Sequence, residues 1–303
     1  MRKLFTVGCL ALLLSGCGRT PSNDKVLFIA VDGMASWCLE TAMDSIPEQI
    51  PNLCALKERG LWTMDKRAEY KTSSAINWAT IFMGVPVEMH GFSKWNSSKS
   101  DFEPYYTHWH GIPPTIFTLL QEQRPEASSV CVYDWDGIGN VIDTLAVGSF
   151  SCVPYDLPSY DNVAFTETYG IPVIEAGMPD IFLFYMVDLD ETGHKFGWGS
   201  PEYYASLRRV DESVGMLLEA LEKSPDKDRT IVVLSSDHGG RPEGKHGSYD
   251  IRDFRTPLIV SGPQVSAGHI KGTMMQYDLT AMLSKWLGLK TPDEWRGRIV
   301  EKE

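Results

Sequence analysis

The chain has 303 residues, of which 43% are hydrophobic and 22% are charged, and its formal net charge is −12. This is the composition of a globular protein with enough apolar residues for one large α/β domain or two smaller domains. The negative charge argues against binding to a nucleic-acid polymer, although a bound metal ion would still allow an acidic protein to bind phosphate groups.

The N-terminal segment has the pattern of a secretion signal. Arg2 and Lys3 precede an apolar run over residues 4–14, which is too short to span a bilayer as a helix. The run leads into Leu14-Ser-Gly-Cys17, which resembles the lipobox of bacterial lipoprotein signal peptides. The resemblance implies that residues 1–16 are removed, that Cys17 is lipidated, and that residues 17–24 are a polar tether. The protein is then expected in the bacterial cell envelope, lipid-anchored, periplasmic or at the outer membrane. An ordinary signal peptide that happens to contain a cysteine is the alternative.

Three apolar runs rich in β-branched residues predict buried strands, and each leads to acidic residues. These strands, with the residues that follow them, are 25–31 with Asp32, 180–187 with Asp190, and 231–234 with Asp237 and His238. Carboxylate and imidazole groups are ligands that suit zinc. A metal site at the ends of these strands is therefore predicted.

Further elements alternate along the chain without an internal repeat. Helices are predicted over 47–59, 75–83, 115–123, 163–176, 200–221 and 277–287, further strands over 129–133 and 257–260, and an extended segment over 61–71. Such alternation predicts an α/β fold, with a mostly parallel central sheet and helices on both faces. In these sheets the binding site lies beyond the carboxyl ends of the strands.

Two serines, Ser73 and Ser74, stand at the start of the predicted helix 75–83. A serine at this position commonly caps the helix. The same position also places a hydroxyl beside free N–H groups that can hold a phosphate.

Residues 91–114 are rich in Trp, Tyr, His, Ser and Asn and show no periodicity. They predict a long loop over the carboxyl edge of the sheet, and such loops often determine specificity. Two histidines in this loop, His108 and His110, either line the substrate site or have no role.

Four cysteines lie outside the signal and the lipobox, namely Cys38, Cys54, Cys131 and Cys152. Four cysteines allow three disulfide pairings, and free cysteines are equally compatible with the sequence.

The order of these motifs resembles the alkaline phosphatase superfamily, and within it the type I phosphodiesterase/nucleotide pyrophosphatase branch. The resemblance rests on Asp32, Ser74-Ala-Ile-Asn77, Gly84-Val-Pro-Val-Glu-Met-His-Gly91, Asp190-x-x-Gly-His194, Asp237-His238-Gly and His246. It implies a single alkaline phosphatase-like catalytic domain over residues 25–303, with a loop insertion around 91–114.

The resemblance also implies two zinc ions. One would be held by Asp32, Ser74, Asp237 and His238, and the other by Asp190, His194 and His246. Ser74 would be the nucleophile, and Asn77 would donate to a non-bridging phosphoryl oxygen. A serine hydroxyl needs such activation, and a second metal ion would stabilise the leaving oxygen. The implied activity is hydrolysis of phosphodiester or pyrophosphate bonds in a small phosphate ester such as a nucleotide, through a phosphorylated serine.

The chain departs from this family pattern in two respects. The branch usually carries threonine where this chain has Ser74, and Ser73 is an adjacent competitor that the spacing to residues 84–91 disfavours. The last metal histidine usually lies far downstream, whereas His246 follows the Asp-His pair by only eight residues. His269 is the alternative for this position, and His90 is expected to be structural.

Two other functions compete with the diesterase. A phosphomonoesterase of the same superfamily would share the metals and the mechanism, but a dianionic monoester needs a cationic clamp, and near Ser74 only Lys71 is available. A non-catalytic surface lipoprotein that binds a ligand is the third hypothesis. A sulfatase is disfavoured, because the sulfatase precursor motif is missing around Ser74.

Overall fold

The structure is a computed structural model that describes residues 24–155 and 160–302. The predicted signal segment and Cys17 lie outside the described residues. The described strands are β1 (Lys25–Val31), β2 (Leu61–Arg67), β3 (Ser129–Tyr133), β4 (Ser149–Cys152), β5 (Ile181–Met186), β6 (Thr230–Ser235), β7 (Arg255–Ser261), β8 (Gly268–His269) and β9 (Met274–Met275).

These strands form one sheet in the order β4-β3-β5-β1-β6-β7-β2-β8, and β9 pairs with β2. The run from β4 to β6 is parallel, whereas β7 is antiparallel to both of its neighbours. The mostly parallel sheet predicted from the sequence is confirmed. The short strands β4, β8 and β9 were not predicted, because two to four residues carry too little pattern.

Helices cover both faces of the sheet, as predicted. They are α1 (Ser36–Ser45), α2 (Pro51–Arg59), α3 (Ser74–Met83), α4 (Val87–His90), α5 (Ile116–Gln123), α6 (Asn162–Phe165), α7 (Ile171–Glu175), α8 (Asp188–Phe196), α9 (Pro201–Lys223), α10 (Ile251–Phe254) and α11 (Asp278–Trp286). A π-helical turn, Thr166–Gly170, joins α6 to α7, so the predicted helix 163–176 is interrupted.

The hydrophobic core consists of two layers, one on each face of the sheet. Side chains of β1 alternate between them, with Phe28 in the layer that holds α3, α5 and α11, and Ile29 in the layer that holds α1, α2 and α9. This alternation follows from the two-residue repeat of a strand. Both faces of β1 are therefore buried, which explains its unbroken apolar run.

Two further features of the sequence can be compared with the structure. Cys38, Cys54, Cys131 and Cys152 are all free in the structure. Residues 91–115 contain no helix or strand, as expected for a long loop.

Within the described ranges, no helix is both long and apolar enough to cross a bilayer.

Candidate active site

Three neighbouring strands in the middle of the sheet bring the acidic residues together. Asp32 follows β1, Asp190 lies in the first turn of α8 after β5, and Asp237 and His238 follow β6. The strand order β5-β1-β6 makes these three carboxyl ends adjacent. Each of the four side chains is buried.

The first cluster comprises Asp32, Asp237, His238 and Ser74. Nε2 of His238 lies 3.5 Å from Asp32 Oδ1 and 3.3 Å from Asp237 Oδ2. The hydroxyl of Ser74, the first residue of α3, lies 3.4 Å from Asp32 Oδ1 and 3.3 Å from His238 Nε2. One potential ligand atom from each of Asp32, Asp237 and His238 falls within a 4.8 Å group that could hold a metal ion.

The second cluster comprises Asp190, His194 and His246, which form another such group. Asp190 and His194 are four residues apart on α8, and Asp190 Oδ2 lies 3.4 Å from His194 Nε2. His246 Nε2 lies 3.0 Å from His194 Nε2. The rings of His246 and His238 stack with centroids 3.9 Å apart, so the two clusters are in contact. The structure thus brings together all seven residues that the sequence predicted as metal ligands.

Backbone and buried donors orient these side chains. Each histidine donates from Nδ1 to a backbone carbonyl, so that its Nε2 faces the cluster; the pairs are His238 with Gly239 O, His194 with Gly244 O, and His246 with Thr72 O. Asp32 Oδ2 accepts from Trp78 Nε1 at 3.0 Å and from the hydroxyl of Tyr185. Such outer contacts are typical of metal ligands, because they fix the tautomer and the orientation.

Two buried oxygens show that this arrangement fits metal ions. Asp190 Oδ1 and Asp237 Oδ2 have no hydrogen-bond partner in the structure, and an unpaired buried carboxylate oxygen is costly. Burial, together with the negative charge of Asp32, raises the pKa of both carboxyls well above the usual range. Divalent cations would satisfy these oxygens and offset the repulsion between the carboxylates.

Gly33 allows the residues that follow β1 and β5 to approach each other closely at the site. Its φ is +66°, and a Cβ at this position would lie 2.7 Å from Asp190 Oδ1. Its N–H donates to Asp237 Oδ1 at 3.2 Å. A larger residue would therefore separate Asp32 from Asp190.

Asn77 does not have the predicted position. It is fully buried, its Oδ1 accepts from Glu69 N at 2.7 Å, and its Nδ2 faces the carbonyl oxygens of Glu69, Lys71 and Ser73. The side chain therefore braces residues 69–73 and has no donor left for a phosphoryl oxygen. This geometry does not support the predicted catalytic role of Asn77, because its amide is bonded to backbone groups.

Three other histidine and serine predictions can be placed. Ser73 is the N-cap residue of α3, but its side chain makes no capping bond. His90 is buried against Thr80 and Phe92, as expected of a structural residue. His269 packs on Trp62 at the far strand β8, and the second cluster contains His246 in its place.

A cavity of about 760 Å³ opens above the two clusters. Besides Ser74 and members of the second cluster, it is lined by residues that the sequence analysis did not identify: Lys94, Trp95, Asn96, Trp135, Tyr155, Glu191 and Lys245. Lys71 also lines it. The N–H of Ala75 donates to Trp95 O at 3.3 Å, which ties the predicted loop to the start of α3. For Lys94, Trp95 and Asn96 the sequence signal was the polar, aromatic composition of the loop, whereas Trp135, Tyr155, Glu191 and Lys245 lie outside that loop.

Comparisons with known proteins agree with this geometry. Residues 26–259 match the family model described as type I phosphodiesterase / nucleotide pyrophosphatase. A venom phosphodiesterase of Crotalus durissus collilineatus is 28% identical over 240 residues, covering 74% of this chain and 28% of the relative. Ectonucleotide pyrophosphatase/phosphodiesterase family member 3 of Rattus norvegicus is 26% identical over 246 residues, covering 77% of this chain and 27% of the relative. The chain thus spans about a quarter of the length of these curated relatives.

Solved structures share the fold. Human ectonucleotide pyrophosphatase/phosphodiesterase 5 superposes with a TM-score of 0.70 at 16% identity, covering 90% of this chain and 97% of that chain. An inactive threonine-to-alanine variant of the murine protein, in complex with AMP, gives a TM-score of 0.69 at 17% identity, covering 89% and 96%. A 2-O glycosaminoglycan sulfatase gives 0.68 at 16% identity, covering 91% and 73%.

Proposed function

The chain belongs to the type I phosphodiesterase / nucleotide pyrophosphatase family, and from this premise we propose that it hydrolyses phosphodiester or pyrophosphate bonds with Ser74 as nucleophile and two zinc ions as cofactors. The observation that carries the proposal is the position of the Ser74 hydroxyl. It lines the cavity and lies within 3.4 Å of Asp32 and 3.3 Å of His238.

The two clusters supply the ligands. Ser74, Asp32, Asp237 and His238 would hold one zinc ion, and Asp190, His194 and His246 would hold the other. Carboxylate and imidazole donors are the set that zinc prefers. When bound, the two ions would lower the pKa of the serine hydroxyl and stabilise the leaving oxygen.

The reaction then proceeds on Ser74. Its Oγ forms a bond to phosphorus while the ester bond to the leaving alcohol or phosphate breaks, which gives a phosphorylated serine. Water cleaves the Ser74 O–P bond in the second step and restores the hydroxyl. Because Asn77 is committed to the backbone, other donors must contact the non-bridging oxygens. Polar side chains that line the cavity and could do so include those of Asn96, Lys71, Lys94 and Lys245.

The cavity supports a diester over a monoester, because about 760 Å³ leaves room for a second ester group beyond the phosphoryl centre. One observation favours a phosphomonoesterase instead. The lysines Lys71, Lys94 and Lys245 all line the cavity, and together they could clamp a dianion. Lys94 is partly committed, because its Nζ lies 2.8 Å from Asp101 Oδ1.

A side-by-side assay separates these functions. We expect the zinc-loaded chain to hydrolyse bis-p-nitrophenyl phosphate and a nucleotide p-nitrophenyl diester with kcat/KM at least about tenfold above that for p-nitrophenyl phosphate. The reverse order would assign a phosphomonoesterase, in which Lys71→Ala should lower monoester turnover selectively. No turnover of any ester would favour a non-catalytic ligand-binding protein.

Metal analysis tests the cofactors independently of turnover. His194→Ala and Asp237→Ala should each lower the zinc content of the reconstituted protein by about one ion per chain. An unchanged zinc content in both variants would remove the metal assignment, whatever the assay shows.

The substrate is proposed to be a small phosphate ester, with a nucleotide as the first choice, and no nucleic-acid polymer is expected. The support for a nucleotide is the murine family member in complex with AMP. A comparison of nucleotide and non-nucleotide diesters in the same assay tests this choice.

We further propose that Cys17 carries a lipid anchor in the cell envelope. The support is the Leu14-Ser-Gly-Cys17 sequence, and Gly18 is not an acidic retention residue, so the outer membrane is the preferred location. Cys17→Ala should move the protein from the detergent phase to the aqueous phase or leave it uncleaved. Unchanged detergent partitioning of a cleaved Cys17→Ala protein would contradict the anchor.

A further inference from the structure

A third group of metal-ligand side chains lies outside the two clusters of the active site. It consists of His108, His110 and Asp143, and one potential ligand atom of each falls within 4.8 Å of the others. His110 Nδ1 lies 2.7 Å from Asp143 Oδ2, and the rings of His108 and His110 meet edge to face with centroids 4.7 Å apart. These three residues are called the loop cluster below.

The side chains of the loop cluster are buried, and residues at the start of α5 hold Asp143 in position. Its side chains are 7%, 2% and 3% exposed, in the order His108, His110, Asp143. Thr118, in the first turn of α5, donates its hydroxyl to Asp143 Oδ2 at 2.8 Å. Thr115, the N-cap of α5, donates its hydroxyl to Ile142 O at 3.2 Å. The start of α5 therefore keeps Asp143 next to the loop that carries both histidines.

One nitrogen in this cluster has no partner. His108 Nε2 lies 2.7 Å from Glu122 Oε1, so its proton is shared with that carboxylate. The other nitrogen, Nδ1, is buried and makes no hydrogen bond in the structure. A neutral imidazole that donates from Nε2 carries a lone pair on Nδ1, and a buried lone pair without a donor costs free energy.

The charge of the cluster is also unbalanced. Asp143 is a buried carboxylate, and its partners among the described residues are His110 and Thr118, with no lysine or arginine in an ion pair with it. Burial of a carboxylate without a full counter-charge is unfavourable. The cluster thus combines a free imidazole lone pair, a second imidazole and a carboxylate that lacks a cation.

We propose that the loop cluster is a third metal site, which binds zinc or another late first-row divalent ion through His108 Nδ1, His110 and Asp143. Two imidazoles and one carboxylate, with a water at the fourth position, are a ligand set that zinc accepts. Glu122 would orient His108, and Thr118 would orient Asp143, in the way that outer residues support metal ligands. The ion would take the place of the hydrogen bond between His110 Nδ1 and Asp143 Oδ2, and the single N–H of the neutral His110 ring would then lie on Nε2.

A metal ion at this site would fix the position of the loop and would take no part in the hydrolysis reaction. Residues 91–115 contain no helix or strand, and residues 93–96 of this segment line the active-site cavity. An ion between His108, His110 and Asp143 would pin the far end of this loop to the base of α5. This inference is independent of the two active-site zinc ions, because the two sets share no ligand.

The test is a metal count on the full chain, purified, loaded with zinc and dialysed. Relative to wild type, the double variant His108→Ala/His110→Ala should lose about one zinc ion per chain, and His269→Ala, at an exposed histidine outside the cluster, should lose none. The same loss should occur in a His194→Ala/Asp237→Ala background, which keeps failure of the active-site assignment distinguishable. An equal zinc content in the double variant and the His269→Ala control would overturn the third site.

A more conservative variant and a second measurement distinguish loss of the metal site from misfolding of the double variant. Asp143→Asn keeps the shape of the side chain but removes its charge, and we expect zinc binding at this site to weaken by at least about tenfold. Zinc should also slow proteolysis within residues 91–115 of wild type, but not of Asp143→Asn. Unchanged zinc content and equal protection in Asp143→Asn would mean that the cluster is only a hydrogen-bonded network.

Discussion

The Nε2 atoms of His194 and His246 lie 3.0 Å apart, although neither carries a proton to donate to the other when both rings are neutral. Both histidines donate from Nδ1 to backbone carbonyls, and a neutral imidazole has a single N–H. Two lone pairs therefore face each other, which is unfavourable without an ion between them. Two nitrogens on one tetrahedral zinc ion lie roughly 3.3 Å apart, so the observed pair is close to a ligand geometry.

Ser74 and Ser73 should differ sharply in their effect on turnover. Ser74→Ala removes the proposed nucleophile and a proposed metal ligand, so we expect a loss on the order of 10⁴-fold or more in kcat. Ser73→Ala should change kcat by less than about tenfold, because the Ser73 side chain makes no capping bond. Steady-state rates on the preferred ester are the measurement. Equal losses in the two variants would mean that the assignment of Ser74, rather than Ser73, as the nucleophile is unsupported.

Tyr185 should control zinc affinity through Asp32. Tyr185→Phe removes one of the two side-chain donors to Asp32 Oδ2, and we expect zinc to bind about 10–100-fold more weakly. Tyr160→Phe is the matched control, because it removes a hydroxyl from Asp134, a buried carboxylate outside the ligand set. Zinc titration with a competing chelator gives both constants. A similar loss of zinc affinity in the two variants would mean that the hydrogen bond from Tyr185 to Asp32 has no specific effect on zinc binding.

Asn77 and Asn96 should affect different properties. Asn77→Ala leaves the N–H of Glu69 without its acceptor, and we expect the free energy of unfolding to fall by about 1–3 kcal/mol. Asn96 is exposed at the cavity, so Asn96→Ala should leave stability unchanged and lower kcat by about 10²–10³-fold if its amide contacts the phosphoryl group. Urea unfolding and steady-state kinetics on both variants separate the two roles. A stable Asn77→Ala enzyme with a large kcat defect would restore the role first predicted for Asn77.

How far the sequence predicts the site depends on the kind of pattern involved. Asp32 and Asp237 were predictable because long β-branched runs identify central strands, whose carboxyl ends must meet. Helix α8 was not predicted, since its first turn holds Asp190 and other polar residues that were assigned to the end of a strand.

Asn77 shows a different limit. A spacing of three residues on a helix places two side chains on one face, but it does not say whether the second points into the cavity or back to the chain. Asn96 and the other cavity residues lie in an irregular loop whose position depends on tertiary contacts such as that between Ala75 and Trp95. No local periodicity could have placed them.

His90 should make the protein sensitive to acid. Burial lowers the pKa of His90 to about 3, from 6.5. In the folded protein its Nδ1 accepts from Phe92 N and its Nε2 donates to Thr80. A lowered pKa gives stability that is complete above pH 6.5 and is lost as pH falls toward 3. The loss should amount to about 1.4 kcal/mol per pH unit within that range.

The measurement is urea unfolding of metal-free protein between pH 4 and pH 7. The difference between wild type and His90→Asn should shrink as the pH falls, because the variant lacks the titrating group. His269→Asn, at an exposed position, serves as the control. A pH-independent difference would mean that the pKa of His90 is the same in the folded and the unfolded protein.

Gly84 should be more sensitive to substitution than Gly272, another glycine with positive φ. It ends α3 at φ +65°, and a Cβ there would lie 2.6 Å from the ring of Trp295. Gly272 has φ +70° with no atom within 4 Å of a Cβ, so it isolates the backbone strain. We expect Gly84→Ala to cost about 1–3 kcal/mol more than Gly272→Ala in urea unfolding. Equal costs would show that Trp295 moves aside freely.

The central position of β1 has a consequence for synthesis on the ribosome. Both of its pairing partners come much later in the chain, since Val26 pairs with Ile181 on one side and with Ile231 on the other. At about 5–20 residues per second, the first partner emerges roughly 8–30 s after β1 itself. Throughout that interval an apolar, β-branched strand has both edges open, which is the condition that favours aggregation. Nascent chains arrested before residue 181 should therefore depend on a chaperone, whereas chains arrested beyond residue 261 should not.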